Sequence, residues 1–303
     1  MVEGFKPLTI EEKGIFDQHI MELEGDLSSF SYFPSLMAWN FSTVCYYKLI
    51  RDYLCIVLDD KPFNRIVCLP PLGKYIKETF EETIKTLYKL FKEKGIELVF
   101  LDVQEWMLPY YKALQAFDIS YEYDRDFSDY VYTLEDHRGI LNKKKMRNAY
   151  HHFLHTYHPE CVPITNENKI FCYEFLNKRW CNEHTCKECL YGCLLIATKR
   201  YVEIFEELGL MGFIIKVQEE MVGYAVVGIE KDVLAFHFTK TLHTLRGINE
   251  YSHIMVNTLY GDHLKAINCA EDMGKEGIRK YKERLAPYFL QHKYTVRLTE
   301  RMD

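Results

Sequence analysis

Three common features are missing from this chain of 303 residues. The N-terminal stretch MVEGFKPLTIEEKG has neither a basic start nor an apolar core, so we expect no secretory signal. No apolar run approaches the roughly 20 residues that a membrane-spanning helix needs. No stretch rich in proline, glycine and serine separates the two halves. We therefore expect a cytoplasmic protein without a transmembrane segment, built from closely packed parts.

Cysteine and charge narrow the class of protein further. The ten cysteines occur in a long chain without an export signal, so we expect reduced thiols rather than disulfides. The net charge of −6 argues against general coating of nucleic acid, although it permits a local basic site. Hydrophobic residues make up 48% of the chain, which is enough for two cores of ordinary domain size.

One order of secondary structure is predicted twice along the chain. The spacing of apolar residues between Phe41 and Tyr123 predicts three strands, a long helix, a strand, a second helix and a last strand. The same order is predicted between Met211 and Leu298, with its last strand at 288–296. A period of this length indicates two similar modules rather than a solenoid.

The predicted fold class is α/β (α+β), with two tandem modules that each contain a mixed, mostly antiparallel sheet flanked by helices. The acidic stretch 124–129 is the best boundary, so the modules are predicted at residues 1–125 and 126–303. A strand, helices, three antiparallel strands, helix, strand, helix and strand form the element order of the GNAT acyltransferase fold. This analogy concerns the fold and does not establish the chemistry.

A run of cations opens the helix predicted at 141–157. Lys144, Arg147 and His151 are spaced by three and four residues, so they share one face. With Asn148, this face is a candidate site for the phosphates of a lipid, a nucleotide or a tRNA end. The alternative is the solvated face of an amphipathic helix whose apolar residues pack inward.

Acidic and basic residues also meet in the stretch 268–280, where a predicted strand ends and a predicted helix begins. Ligands bind at such strand ends, close to the free N–H groups of the helix. One interpretation makes Asp272 the helix N-cap. The other makes Glu271 or Asp272 a general base in the C-terminal module, with Arg279 and Lys280 as a clamp for a carboxylate or a phosphate.

Two stretches resemble the phosphatidylglycerol lysyltransferase C-terminal domain family, in its stand-alone, soluble branch. The first is the Tyr-x-Tyr strand within 126–132, followed by Asn-Lys-Lys-Lys-Met-Arg-Asn at 142–148, where relatives usually begin with Gly. The second is Glu-Asp-Met-Gly-Lys-Glu-Gly-Ile-Arg at 271–279, similar to the family's Glu-Asp-Leu-Gly-x-Glu-Gly-Leu-Arg. Relatives often have Arg-Glu just before it, whereas this chain has Cys-Ala.

The resemblance implies a tandem GNAT-like fold and transfer of an aminoacyl or acyl group to an amine or hydroxyl acceptor such as a lipid head group. The implied partners are a charged tRNA or another phosphate-bearing acyl donor, with peripheral contact to lipid head groups. The oligomeric state stays open. The alternative function is a non-catalytic protein that binds a nucleotide, a charged tRNA or a small ligand on the same scaffold.

No cofactor is expected, and acyl-CoA is the alternative donor, although its binding loop is degenerate. A GNAT enzyme that uses acyl-CoA has Arg/Gln-x-x-Gly-x-Gly/Ala ahead of the helix after its third strand. The corresponding stretch, Thr-Leu-Arg-Gly-Ile-Asn at 244–249, keeps only the first Gly, which reduces backbone access for a pyrophosphate. His237, on the third strand, is either an alternative base or a packed histidine.

Two groups of residues are weighed as metal sites, and we expect neither to bind a metal. The first spans thirteen residues, 181–193, but it lacks a second Cys-x-x-Cys and matches no zinc ribbon or finger; its members are Cys181, His184, Cys186, Cys189 and Cys193. Three of these cysteines also suit the apolar face of a helix. The second group is the four histidines within 151–158, which neighbouring cations disfavour as a metal site.

Overall fold

The computed structural model describes residues 2–181 and 192–301. Its contacts divide the chain into two compact units. One consists of Met1–Ser128 together with Gln291–Asp303, and the other is Asp129–Leu290. Each unit contains a seven-stranded sheet with helices beside it. Among the described residues, no helix is long and apolar enough to cross a membrane.

The first unit begins with a two-residue strand and two helices and then follows the predicted order of strands and helices. Its longest helix packs Phe80, Ile84, Leu87 and Phe91 into the core and ends before Gly95, which has a φ of 66°. The elements are β1 (Lys6–Pro7), α1 (Lys13–Met21), α2 (Phe33–Trp39), β2 (Thr43–Ile50), β3 (Tyr53–Asp60), β4 (Arg65–Cys68), α3 (Lys77–Glu93), β5 (Val99–Gln104), α4 (Leu108–Lys112) and β6 (Phe117–Tyr123).

The second unit adds two strands and several helices ahead of the repeated order. The elements are β7 (Asp129–Thr133), α5 (Leu134–Arg138), α6 (Lys144–Tyr157), β8 (Glu160–Pro163), α7 (Ile170–Phe175), α8 (Leu194–Glu203), β9 (Met211–Val217), β10 (Glu220–Glu230), β11 (Val233–Thr241), α9 (Ile248–Tyr260), β12 (Ala266–Asn268), α10 (Glu276–Leu285) and β13 (Phe289–Gln291). The last strand, β14 (Lys293–Glu300), lies in the sheet of the first unit.

The strand orders of the two sheets correspond. The first sheet has the order β1-β2-β3-β4-β5-β14-β6. The second sheet, taken from the matching edge, has the order β8-β9-β10-β11-β12-β7-β13. β4 pairs with β5 in parallel through a helical crossover, as β11 does with β12, while the hairpins β2–β3 and β9–β10 are antiparallel. The predicted pair of mixed, mostly antiparallel sheets is confirmed.

Each sheet contains one strand that is inserted from elsewhere in the sequence. In sequence, this strand comes directly after an edge strand of the other sheet. β7 comes after β6 in sequence and lies between β12 and β13, whereas β14 comes after β13 and lies between β5 and β6. β14 is antiparallel to both of its neighbours and pairs along its length with β6. The strand predicted at 288–296 is therefore corrected to two strands that belong to different sheets.

This pairing gives a different division of the chain from the one expected at residues 1–125 and 126–303. Gln291–Asp303 joins the first unit because β14 forms its backbone hydrogen bonds with β5 and β6.

The helix predicted at 104–117 is much shorter in the structure. A 3₁₀ turn at Glu105–Met107 precedes α4, because Pro109 cannot donate a backbone hydrogen bond.

Two neighbouring strands of the second sheet, β11 and β12, diverge beside the loop that follows β12. β11 pairs with β12 only from Val233 to Ala235. Beyond that point β11 continues to Thr241, whereas β12 stops at Asn268. Strands that separate in this way leave room at a sheet edge for the side chains of the following loop.

Gly247 shows how closely α6 and α9 approach each other. It precedes α9 with a φ of 93°, and a Cβ atom placed on it would lie 2.0 Å from the carbonyl oxygen of Ala149. Met146, Ala149 and Phe153 form the buried face of α6, as the amphipathic pattern predicts. Gly247 is therefore required by the packing of these two helices.

We expect Gly247→Ala to destabilise the protein by roughly 2 kcal/mol or more, because both the left-handed backbone and the contact with Ala149 oppose a side chain. The matched control is Gly277→Ala in α10, where no atom lies within 4 Å of the added Cβ. Chemical denaturation of both variants measures the difference. Equal midpoints would contradict this explanation of Gly247.

Candidate functional site

The loop between β12 and α10, residues 269–275, folds through several left-handed residues. Ala270, Met273 and Gly274 have φ angles of 57°, 53° and 69°. Glycine adopts this conformation without steric cost, but for Ala270 and Met273 it costs roughly 1–2 kcal/mol of conformational free energy each. Strong contacts must therefore hold this backbone, and residues of α10 and β7 provide them.

Asp272 is the buried acid of this loop, and it is paired with Arg279. The Asp272 side chain is 0% exposed, whereas that of Arg279 is 31% exposed. Arg279 donates from Nε to Oδ2 and from Nη2 to Oδ1, each at 2.9 Å. Tyr130 Oη also donates to Oδ2 at 2.8 Å, and the Gly274 N–H donates to Oδ1 at 2.9 Å.

These contacts decide the charge of Asp272. Burial by itself raises the pKa of the carboxyl group, because it removes water from the charged form. The hydrogen bonds from Arg279, Tyr130 and the Gly274 N–H outweigh burial and hold the pKa well below its usual range. Asp272 is therefore ionised at neutral pH.

Lys282 fixes the backbone of the same loop. Its Nζ donates to the carbonyl oxygens of Cys269, Ala270 and Glu271 at 2.5, 3.0 and 2.7 Å. Burial lowers the pKa of Lys282, and the nearby acidic groups oppose this effect. Arg279 and Lys282 are three residues apart, so one face of α10 holds both the carboxylate and the backbone of the loop.

Two tyrosines of β7 complete this arrangement. Tyr130 and Tyr132 alternate onto one face of the strand, and both are fully buried. Tyr130 contacts Asp272, and Tyr132 Oη donates to the carbonyl oxygen of Lys282 at 2.9 Å. The Tyr-x-Tyr pattern was visible in the sequence, but its roles were not, because they require β7 to pair with β12.

Glu271 lies next to this buried pair and is half-buried. Lys280 is exposed and forms a surface ion pair with Glu276 at 2.5 Å. The N-cap of α10 is Lys275, so the interpretation of Asp272 as the N-cap is wrong. Asp272 lies three residues earlier and uses its carboxylate to pair with Arg279.

The basic face of α6 is a second, separate feature. Lys144, Arg147 and Asn148 are exposed on it, and Arg147 Nη1 donates to the carbonyl oxygen of Leu141 at 3.4 Å. Lys143 Nζ donates to the carbonyl oxygen of Arg284 at 2.9 Å, near the C-terminal end of α10. Asp272 is bound by Arg279, near the N-terminal end. In the described parts of the chain, no ion pair or hydrogen bond joins the basic face to Asp272.

His237 lies where the pairing of β10 and β11 is irregular. Val226 pairs with Phe238 and Val227 with Phe236, so His237 is the extra residue of a bulge. Burial lowers the pKa of His237 to about 3, so the ring is neutral at pH 7. Its Nε2 lies 2.7 Å from the position of a Cβ on Gly228. These features fit a packed histidine, although bulges also occur beside active sites.

In the described parts of the chain, side chains of types that can bind a metal lie close together at a position that the sequence did not indicate. Within the described ranges, His137, His253 and Cys269 place their ligand atoms within 4.8 Å of one another. The cysteine stretch considered above falls largely outside these ranges, since His184, Cys186 and Cys189 are not described. Cys181 and Cys193, at its ends, are free thiols.

The two sheets, each with a helical crossover before its parallel strand, have the tandem GNAT-like fold. The family model of the phosphatidylglycerol lysyltransferase C-terminal domain matches residues 21–297. The chain therefore belongs to this family, as its two sequence motifs suggested. A sequence search of curated proteins found no match.

Solved structures share this fold over nearly the whole chain. A conserved protein of unknown function from Bacteroides thetaiotaomicron is 21% identical with a TM-score of 0.87, and the match covers 99% of this chain and 100% of that one. L-PGS from Bacillus licheniformis is 14% identical with a TM-score of 0.63, covering 96% and 93%. A tandem GNAT protein from the clavulanic acid biosynthesis pathway is 8% identical with a TM-score of 0.52, covering 99% of each chain.

We predict that Arg279→Ala destabilises the protein by about 2–4 kcal/mol, because it leaves a buried carboxylate without its cation. Lys280→Ala is the matched control, since it removes an exposed cation from the adjacent position. The control should change stability by less than about 0.5 kcal/mol. Urea unfolding of both variants checks this, and similar losses would show that the buried pair has no special role.

The low pKa of Asp272 also predicts a dependence on pH. Because the pKa of Asp272 is lower in the folded state than in the unfolded state, its ionised form stabilises the fold at pH values above the unfolded-state pKa of about 4. This stabilisation is lost as the pH falls toward the folded-state pKa. The difference in unfolding free energy between the natural chain and Asp272→Asn should therefore be largest near pH 7 and shrink below pH ~4. Asp262→Asn, which alters an acid that is 92% exposed, should show no such change. A difference for Asp272→Asn that stays constant from pH 7 to ~3 would refute this assignment.

Proposed function

We propose that this protein is an aminoacyltransferase. In this proposal it moves an aminoacyl group from a charged tRNA to an amine or hydroxyl acceptor such as a lipid head group. The family description, which names lysyl transfer to phosphatidylglycerol, supports this class of reaction. The structural observation behind the proposal is the buried pair of Asp272 and Arg279, which holds a partly exposed guanidinium in a fixed position. A charged tRNA donor implies that the reaction takes place in the cytoplasm.

Arg279 is the proposed anchor for a negatively charged group of the donor or the acceptor. A guanidinium held by two parallel hydrogen bonds loses little freedom when a ligand binds. Asp272 is better suited to positioning Arg279 than to accepting a proton. Its oxygens already accept four hydrogen bonds, and a carboxylate with a very low pKa is a weak base.

Glu271 is the proposed general base. It is half-buried, and the bond from Lys282 to its carbonyl oxygen fixes its backbone. Its carboxylate takes a proton from the acceptor as the acceptor oxygen or nitrogen bonds to the ester carbonyl carbon of the donor. The tetrahedral intermediate then breaks its bond to the ribose oxygen of the tRNA, which leaves with a proton. This route needs no covalent bond to the protein.

The exposed face of α6 is the proposed contact for the phosphates of the donor. Lys144, Lys145 and Arg147 bring three positive charges to the first turn of that helix. His151 and His155 continue the exposed face, with their rings stacked 5.8 Å apart. Cations spread along a helix suit the extended backbone of a nucleic acid.

We infer that the donor is not acyl-CoA. Gly247, the glycine retained from the pyrophosphate loop, is needed for the close approach of Ala149. Glu250 places an acid in the first turn of α9, where it would repel a pyrophosphate. The N–H of Ile248 donates to the carbonyl oxygen of Leu245, so that amide is already occupied.

The alternative proposal is a binding protein that has the scaffold but no transfer activity. The neutral, largely buried His237 and the saturated carboxylate of Asp272 favour it, because neither is an effective base at neutral pH. The ligand in this alternative is a nucleotide, a charged tRNA or a small ligand. Both proposals allow a charged tRNA to bind, but only the first predicts that the aminoacyl group moves.

We expect Glu271→Gln to lower the rate of aminoacyl transfer by about 10²–10⁴, because it removes the general base while keeping the size of the side chain. The assay follows a labelled aminoacyl group from charged tRNA to phosphatidylglycerol vesicles or to a soluble amine. The control Glu276→Gln alters an exposed acid of α10 and should retain full activity. Binding of charged tRNA to the natural chain without any transfer would favour the alternative proposal.

Removing two cations from α6 should weaken tRNA binding in a salt-dependent way. For the double variant Lys144→Ala, Arg147→Ala we expect the slope of log K against log salt to fall by about 1–2. The control replaces Lys89 and Lys92 on α3, which are 78% and 65% exposed. An unchanged slope in the α6 variant would exclude this face as the binding surface.

A further inference from the structure

We propose that His137, His253 and Cys269 form a zinc site in the second unit. This inference does not depend on the proposed transferase activity. The three residues come from α5, from α9 and from the position directly after β12. Their ligand atoms lie within 4.8 Å of one another, and His137 and Cys269 are buried.

The two imidazoles already have nearly the separation that zinc requires. His137 Nε2 and His253 Nδ1 are 3.0 Å apart. Tetrahedral zinc with bonds of about 2.0–2.1 Å to nitrogen and 2.3 Å to sulfur needs about 3.3 Å between two nitrogens and about 3.5 Å between nitrogen and sulfur. The Cys269 sulfur therefore needs to move by about 1.3 Å at most, and rotation about its Cα–Cβ bond provides such a movement.

Asn257 fixes the tautomer of His137 in the form that binds metals. The Asn257 side-chain amide donates from Nδ2 to the carbonyl oxygen of His137 at 3.1 Å, so its Oδ1 faces His137 Nδ1 at 2.8 Å. An oxygen at that position accepts a hydrogen bond, which requires the proton on Nδ1. The lone pair of His137 is consequently on Nε2, which points toward His253. A hydrogen bond from the second imidazole nitrogen is a regular feature of protein zinc ligands.

The surroundings suit a bound zinc ion with one further ligand. Three protein ligands leave a fourth tetrahedral position, which a water molecule would fill. Tyr281, whose ring centre is 6.0 Å from that of His253, has a buried hydroxyl with no hydrogen-bond partner among the described residues. Lys282 places a positive charge near His253 and Cys269, which by itself opposes the binding of a cation. The negative charges of Asp129, Glu271 and Asp272 near Lys282 offset this effect.

Zinc at this position would connect the loop after β12 to two helices. Cys269 begins the loop that carries Glu271 and Asp272, so a metal bond to its sulfur would link this loop to α5 and α9. The proposed role is structural. It predicts that zinc raises the melting temperature of the protein.

The test must separate this site from the cysteine stretch at 181–193. The background variant therefore carries serine at positions 181, 186, 189 and 193, and the purification tag is removed. We expect one zinc or cobalt ion per chain in this background, measured by elemental mass spectrometry. The cobalt form should show a thiolate-to-metal charge-transfer band in the near ultraviolet.

Adding Cys269→Ser should abolish the charge-transfer band and the zinc-dependent rise in melting temperature. Asn257→Ala should weaken cobalt binding by about 10–100-fold, because it releases the His137 ring. The control Cys172→Ser alters a buried cysteine of α7 and should bind as the background does. Circular dichroism establishes that each variant is folded. The proposal is wrong if the folded background binds no more zinc or cobalt than Cys269→Ser does.

Discussion

Backbone hydrogen bonding of two inserted strands is the constraint on which the rest of this structure depends. A strand inside a sheet must pair on both sides, because unpaired buried N–H and C=O groups are costly. β14 meets this requirement between β5 and β6, and β7 meets it between β12 and β13. The second insertion also forms the candidate site, since β7 carries Tyr130 to Asp272 and Tyr132 to α10.

The buried charge of Asp272 is the second constraint, and it follows from the first. A carboxylate without water costs several kcal/mol unless it is paired and hydrogen-bonded. Arg279 and Tyr130 provide the partners, and one of them is present only because β7 pairs with β12. The pair in turn stabilises a loop with left-handed residues and leaves Glu271 at its edge. Local strain and buried charge are thus compensated by the same few side chains.

Much of the fold could be predicted from local pattern. Hydrophobic periodicity gave the repeated order of strands and helices, and α9 has the predicted bounds, Ile248–Tyr260. The site was only partly predictable. The pairing of Asp272 with Arg279 connects neighbours in sequence, whereas Tyr130 lies 142 residues before Asp272. His137 and His253 are likewise 116 residues apart, and no local pattern joins them.

By itself, the sequence determined the number of modules, the order of their elements, the amphipathic face of α6 and the charged residues after β12. These properties depend on the spacing of side chains along a regular backbone, so they can be read locally. Only the tertiary structure decided that β14 lies in the first sheet, that Tyr130 donates to Asp272, and that Cys269 lies beside two histidines. Those outcomes depend on strand pairing and burial between distant segments, for which the local sequence carries no signal.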